Sequence, residues 1–163
     1  MGRRKKLGGI LTALLLLAVA AQAAAAEHFL VKRVVDGDTI IVDKIGRVRL
    51  IGVNTPEIPH SGQPGQKGGE DAATFTRKLL TGKEVALEYD SMLHDKFGRT
   101  LAYVIMGDGT VVNEELLRRG YAEPILHLPY KMKEKYLKLA AEARRAGVAK
   151  SPLVKGTKLP KEH

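Results

Sequence analysis

Three short segments place charged and oxygen-bearing side chains beside turns. The first is Asp36-Gly37-Asp38-Thr39. The second runs from Arg49 to Glu57 as R-L-I-G-V-N-T-P-E. The third runs from His94 to Arg99 as H-D-K-F-G-R. Each alone has a plain structural reading. Asp-Gly is a common hairpin dipeptide. Arg49 sits among apolar strand residues, where an unpaired charge is costly and an acidic partner would satisfy it. The third segment reads as a polar turn. Together the three hold a complete set for phosphodiester hydrolysis. A hard cation such as calcium takes carboxylate, amide and backbone oxygens, which Asp38, Asn54 and Thr55 offer. Such a cation polarises a phosphate and acidifies water. Glu57 is a carboxylate able to accept a proton from that water. Arg49 and Arg99 can fork onto phosphate oxygens where charge develops.

The rest of the composition narrows the alternatives. The chain contains no cysteine, which excludes disulfides, thiolate catalysis and cysteine-type zinc sites. The five histidines, His28, His60, His94, His127 and His163, show no HxH or HExxH spacing, so they read as surface or loop residues rather than metal ligands. Oxygen-ligand chemistry is what remains.

Short β-branched runs supply the strands that would carry these segments: Phe29 to Val35, Thr39 to Val42 and Arg47 to Ile51, with Asp36-Gly37 and Ile45-Gly46 as turns. A proline- and glycine-rich stretch from Pro56 to Gly69 predicts a mobile loop. A helix follows, opened by Glu70 and Asp71, closed by Arg77 and Lys78 and stopped at Gly82, with Ala72, Phe75 and Leu79 as its apolar stripe. Val85, Leu87 and Tyr89 alternate as in a half-buried strand, and Leu101 to Met106 is a second strand. Asn113 is placed to cap another helix, which ends at Arg118, Arg119 and Gly120. The last helix runs from near Pro129 to Gly147. Met132, Tyr136, Leu139, Ala140 and Ala143 form its buried face, and its lysines lie on a solvated one. Five short strands and three helices predict an α+β, mainly β domain built on an OB-type Greek-key barrel. The pattern alone does not separate that barrel from another small α+β fold.

The three segments, in this order and spacing, resemble the signatures of the thermonuclease (staphylococcal nuclease-like) family, and Val112 to Ala122 resembles its second helix. The likeness runs from about His28 to Val148. It implies an OB-fold barrel with three helices and a calcium site at the rim. By position, Asp38 would be a ligand through its carboxylate and Thr55 through its backbone carbonyl. Arg49 and Arg99 would clamp phosphate, and Glu57 would position or deprotonate the attacking water. DNA and RNA would be the substrates, cut within the strand to leave 3′-phosphate ends. Three positions depart from the family pattern. Asn54 replaces a second carboxylate ligand. Phe97 replaces a tyrosine beside the Gly-Arg pair. Leu126 and Leu128 stand where tyrosines pack a base. Lys96, Phe97, Tyr121 and Tyr130 are therefore the expected substrate-binding residues.

The amino terminus reads as an export signal: Arg3 to Lys6 are basic, Leu7 to Ala20 apolar, and Ala24 to Ala26 offer a cleavage site. An uncleaved anchor is the alternative reading. Without residues 1–26, 137 of the 163 residues remain, and the loss of four basic and no acidic side chains takes the net charge from +9 to +5. That length suits one domain, 27–150, followed by a flexible basic tail, 151–163. The expected product is a secreted or periplasmic monomer with no stable membrane association after cleavage.

Overall fold

The computed structural model describes residues 27–60 and 62–151. The expected signal segment, and the tail beyond Ser151, lie outside these residues. The strands are β1 (His28–Asp36), β2 (Thr39–Val42), β3 (Gly46–Leu50), β4 (Val53–Asn54), β5 (Glu84–Glu88), β6 (Thr100–Met106) and β7 (Glu123–Pro124). The helices are α1 (Gly69–Leu80), α2 (Val112–Arg118) and α3 (Lys133–Arg145). Five strands close into an OB-type barrel in the order β1-β2-β3-β6-β5. Every pairing is antiparallel except β3 with β6. β1 serves two neighbours: His28 to Leu30 pair with β5, and Val31 to Asp36 pair with β2. Two register irregularities in its second half bend it, since a bulge increases local twist. The barrel is filled by β-branched and small residues, with Val31, Ile40, Val48, Val85, Ala102 and Val104 buried.

Helix α1 packs its small residues against the Asp36–Thr39 turn. A side chain at Gly37 would meet Thr55 and Ala72 within 3 Å, at 2.7 and 2.9 Å, so only glycine lets helix and turn approach this closely. Thr76 is buried and donates its hydroxyl to the Gly37 carbonyl at 2.7 Å. The buried stripe of α1 is therefore Gly69, Ala72, Ala73, Thr76 and Leu80, with Phe75 and Leu79 only partly covered. This rotates the stripe away from the one the apolar residues alone predict.

Asn113 is not a cap. The helix already begins at Val112, and Asn113 is fully buried inside it. Its amide oxygen accepts the Val104 N–H at 3.0 Å, and its nitrogen donates to the Ile51 carbonyl at 2.9 Å. The side chain thus ties α2 to β6 and to the end of β3. Helix α3 buries Tyr136, Leu139, Ala140 and Ala143 as expected, but starts at Lys133, after a turn, rather than near Pro129. The two-residue strands β4 and β7, unforeseen in the sequence, pair Val53 with Pro124 and Asn54 with Glu123. They fix the chain that leads from Arg49 to Glu57.

Candidate active site

Asp38 lies at the tip of the β1–β2 hairpin and is 2% exposed. Its Oδ2 accepts the Thr55 N–H at 2.7 Å and the Thr55 hydroxyl at 3.0 Å, and pairs with Arg49 Nη2 at 3.0 Å. Its Oδ1 accepts the Thr39 hydroxyl at 3.2 Å. Asp36 Oδ1 accepts the Asp38 N–H at 3.1 Å, which holds a second carboxylate at the same tip. Burial pushes the Asp38 carboxyl up to about 6, and the neighbouring Asp36 adds to the rise. The Arg49 guanidinium and the Thr55 N–H oppose it without cancelling it. A carboxylate kept ionised here at neutral pH is energetically exposed, and a nearby positive charge relieves it.

Arg49, on β3, has the acidic partner its strand position calls for, and more. Nη1 donates to the carbonyls of Leu50 at 3.0 Å and Val53 at 2.7 Å, and Nη2 also donates to Asn54 Oδ1 at 3.1 Å. One guanidinium therefore closes the loop from Leu50 to Asn54 and brings Asp38 and Asn54 to a common donor. The segment then runs through Thr55 to Glu57, whose side chain is exposed. The Glu57 backbone is fixed from both sides by Gln66: its N–H donates to Gln66 Oε1 at 3.1 Å, and its carbonyl accepts the Gln66 N–H at 2.8 Å. Gln66 carries no motif that the sequence would flag, yet it sets where Glu57 stands.

Arg99 is positioned by a self-contained loop. Asp95 Oδ1 accepts the N–H groups of Phe97 at 2.8 Å and Arg99 at 3.0 Å, while Oδ2 takes Arg99 Nε at 2.7 Å. Partial burial would raise the Asp95 carboxyl, but the bonds from Arg99 and Phe97 outweigh it and hold it below the ordinary carboxylate value. Gly98 adopts a φ of 75°, which closes the turn. With Nε committed to Asp95, the plane of the Arg99 guanidinium is set. Its charge lies 5.4 Å from the Phe97 ring centre, and Lys96 Nζ lies 5.1 Å from it. Phe97 is 72% exposed.

Arg49, Arg99, Lys96, Phe97 and Tyr130 line one cleft of about 550 Å³, walled also by Met92, Ile125, His127 and Leu128. These last four come from irregular segments, whose sequence shows no periodicity to mark them. Tyr130 also closes against Gly52, where any side chain would strike its ring. Asp38, Asn54, Thr55 and Glu57 are not in this lining; Arg49 joins their cluster to it. Tyr121 stands apart from the cleft. It stacks on Phe75 at 4.6 Å between ring centres and lines a second cleft of about 580 Å³ among the helices. Of the four expected substrate-binding residues, three share the cleft and Tyr121 does not.

Among the described residues no three acidic or histidine side chains gather as a metal cluster. The donors at the hairpin tip are instead a desolvated carboxylate, a second carboxylate beside it, an amide oxygen and the backbone of Thr55. That set fits a hard cation held by few charges.

The profile of the family described as staphylococcal nuclease homologues matches residues 47–149. The chain is 48% identical over 122 residues to a thermonuclease of Staphylococcus intermedius, covering 73% of this chain and 70% of the relative. It is 42% identical over 123 residues to a thermonuclease of Staphylococcus hyicus, covering 73% and 72%. It is also 42% identical over 94 residues to endonuclease YncB of Bacillus subtilis, covering 55% and 44%. The matched span contains Arg49, Glu57 and Arg99 and all but the first barrel strands. The chain belongs to the staphylococcal nuclease homologue family.

Proposed function

We propose that this protein is an exported, calcium-dependent nuclease that cuts DNA and RNA within the strand and leaves 3′-phosphate ends. The observation that carries the reading is the shared guanidinium of Arg49. It joins the Asp38–Asn54–Thr55 oxygens to the cleft that holds Arg99, in a family whose members here are nucleases. As a member of that family the chain is a phosphodiester hydrolase.

Asp38, Asn54 and the Thr55 carbonyl would hold calcium, which supplies the positive charge that polarises the phosphate and acidifies water. Glu57 orients the attacking water or takes its proton, from a backbone locked by Gln66. The Nη groups of Arg99, which have no partner among the described residues, fork onto phosphate oxygens. Arg49 exchanges one of its protein partners for a phosphate oxygen as substrate arrives. Contacts to phosphate carry no sequence information, so base preference is expected to be slight. Phe97 offers a stacking surface to a base, a contact indifferent to base identity.

Export is supported by the basic, apolar and small-residue pattern of residues 1–26. No helix among the described residues is long and apolar enough to cross a membrane. The products test the chemistry. Fragments from an internally labelled strand should appear at many lengths at once, and phosphatase should remove phosphate from their 3′ ends. Products shortened only from one terminus, or carrying 5′-phosphates, would contradict the proposal.

A further inference from the structure

The second cleft, among the helices, takes no part in the chemistry above. Its floor is the stacked pair Phe75 and Tyr121, and its rim is basic. Lys150 Nζ lies 4.4 Å above the Tyr121 ring and 2.9 Å from its hydroxyl oxygen. Arg118 and Arg119 stand beside it, about half and two-thirds exposed, with Glu115 between them. Arg118 is also held at 3.3 Å by Glu114, whose carboxylate is largely buried, while the pairs of Arg118 and Arg119 with Glu115, at 3.8 and 3.4 Å, are long and partly exposed. The Glu115 pairs are worth only about 0–1 kcal/mol, so an arriving phosphate can displace them.

Its place relative to the reaction centre matters as much as its chemistry. The Lys150 and Ser151 N–H groups both donate to the Gly120 carbonyl, which pins the end of the described chain beside Tyr121. The Lys150 carbonyl in turn lies 3.2 Å from where a side chain at Gly68 would begin, and Pro56 lies 3.7 Å from the same point. Gly69 packs directly under the Glu57 carbonyl. A short chain of contacts, Lys150 to Gly68 to Pro56 and Glu57, thus connects the second cleft to the Glu57 side of the reaction centre. The Arg99 cleft adjoins the same centre through Arg49.

We propose that the Phe75–Tyr121 cleft, rimmed by Arg118, Arg119 and Lys150, is a second nucleic-acid subsite that holds the phosphodiester strand beyond the scissile bond, on the Glu57 side. The inference rests on the nuclease reading. The rim cations suit the phosphates of a single strand, and a base reaches the Tyr121 ring by displacing Lys150 from above it, since Phe75 covers the other face. Occupants at both ends would make cutting within long strands more favourable than cutting short ones.

The test uses the double variant Arg119→Ala/Lys150→Ala of the whole chain, with phosphorothioate single strands that resist cleavage. One has about four nucleotides, to fill the first cleft alone, and one about 20, to reach both. Fluorescence anisotropy gives affinity in calcium at several salt concentrations. The variant should bind the long strand about tenfold more weakly, with the short strand unaffected. Its salt slope for the long strand should fall by about 1.4, for two lost phosphate contacts at roughly 0.7 each. Equal affinities and slopes in the two proteins would overturn the subsite. Equal losses for short and long strands would also overturn it, because they would signal a general defect. Absence of cleavage of an ordinary strand by the unaltered protein would refute the nuclease reading instead, and the binding comparison would still decide the subsite.

Discussion

Replacing Asp38 with asparagine should stabilise the metal-free protein while abolishing its response to calcium. The Asp38 carboxyl is raised from 3.8 to about 6, chiefly by burial. That rise corresponds to about 3 kcal/mol held against the ionised form. An amide escapes this cost. Its oxygen can still accept from Thr55 and Arg49, where Asp38 Oδ2 now does, and its NH2 can donate to the neighbouring Asp36 instead of repelling it. The rise is already net of the Arg49 attraction, and the weaker hydrogen bonds of a neutral amide offset part of it, so the gain at pH 8 should be about 1–3 kcal/mol. The pH dependence has a definite sign. A carboxyl raised in the folded state contributes most below its unfolded value of 3.8 and loses that contribution as pH rises through about 6. Without metal, the natural protein should therefore gain stability from this group as pH falls from 7 towards 4. Asp90 and Asp95, held below the ordinary value, act in the opposite sense only at lower pH. Urea unfolding in chelator at several pH values, for both proteins, measures the effect. A repeat with calcium should raise the midpoint of the natural protein alone. An asparagine variant less stable than the natural protein at pH 8 would show that the buried Asp38 charge does not weaken the metal-free fold, and one still stabilised by calcium would remove Asp38 from the ligand set.

Arg99→Ala should lower the turnover rate by about 10²–10³ and Glu57→Ala by about 10²–10⁴, with little change in melting temperature. Among the described residues Arg99 has one ion pair, with the partly buried Asp95, worth on the order of 1 kcal/mol; early melting with normal cutting would make it a turn residue. Asn54→Asp should tighten calcium binding and lower the calcium needed for half-maximal cleavage, because affinity follows the number of charged ligands. Calorimetric titration of both proteins checks it, and unchanged affinity would remove Asn54 from the ligand set. Asn113→Ala should destabilise the fold by about 2–4 kcal/mol, since it strands the buried Val104 N–H and Ile51 carbonyl; a loss below about 1 kcal/mol by urea unfolding would show that neither bond matters.

The barrel was legible because β1, β2 and β3 are dense in β-branched residues and punctuated by glycine turns. The three charged segments were legible because each is contiguous. What escaped was set by contacts distant in sequence. Thr76 counts as polar in any stripe, yet it is buried because Gly37, far away in the chain, offers a carbonyl. Asn113 has the side chain of a cap, and the same amide serves equally to bridge two strands. β4 and β7 are two residues each, too short to show any period. Tyr121 could be taken for a base-packing residue because its chemistry suits that role. Only its stacking on Phe75, 46 positions earlier, sends it to the other cleft.

If the Asp38–Arg49–Glu57–Arg99 arrangement is a calcium-dependent phosphodiesterase site, calcium must switch its cleavage on and off. The most direct measurement is the initial rate at which protein from Glu27 onward cleaves a single-stranded DNA, and the RNA of the same sequence, as calcium is raised and then removed by chelator. Cleavage of both strands should be saturable, half-maximal near the roughly 10⁻⁴–10⁻³ M range of weak extracellular calcium sites, and should be lost in chelator and restored by fresh calcium. Protein that binds both strands yet leaves them intact at saturating calcium would contradict it.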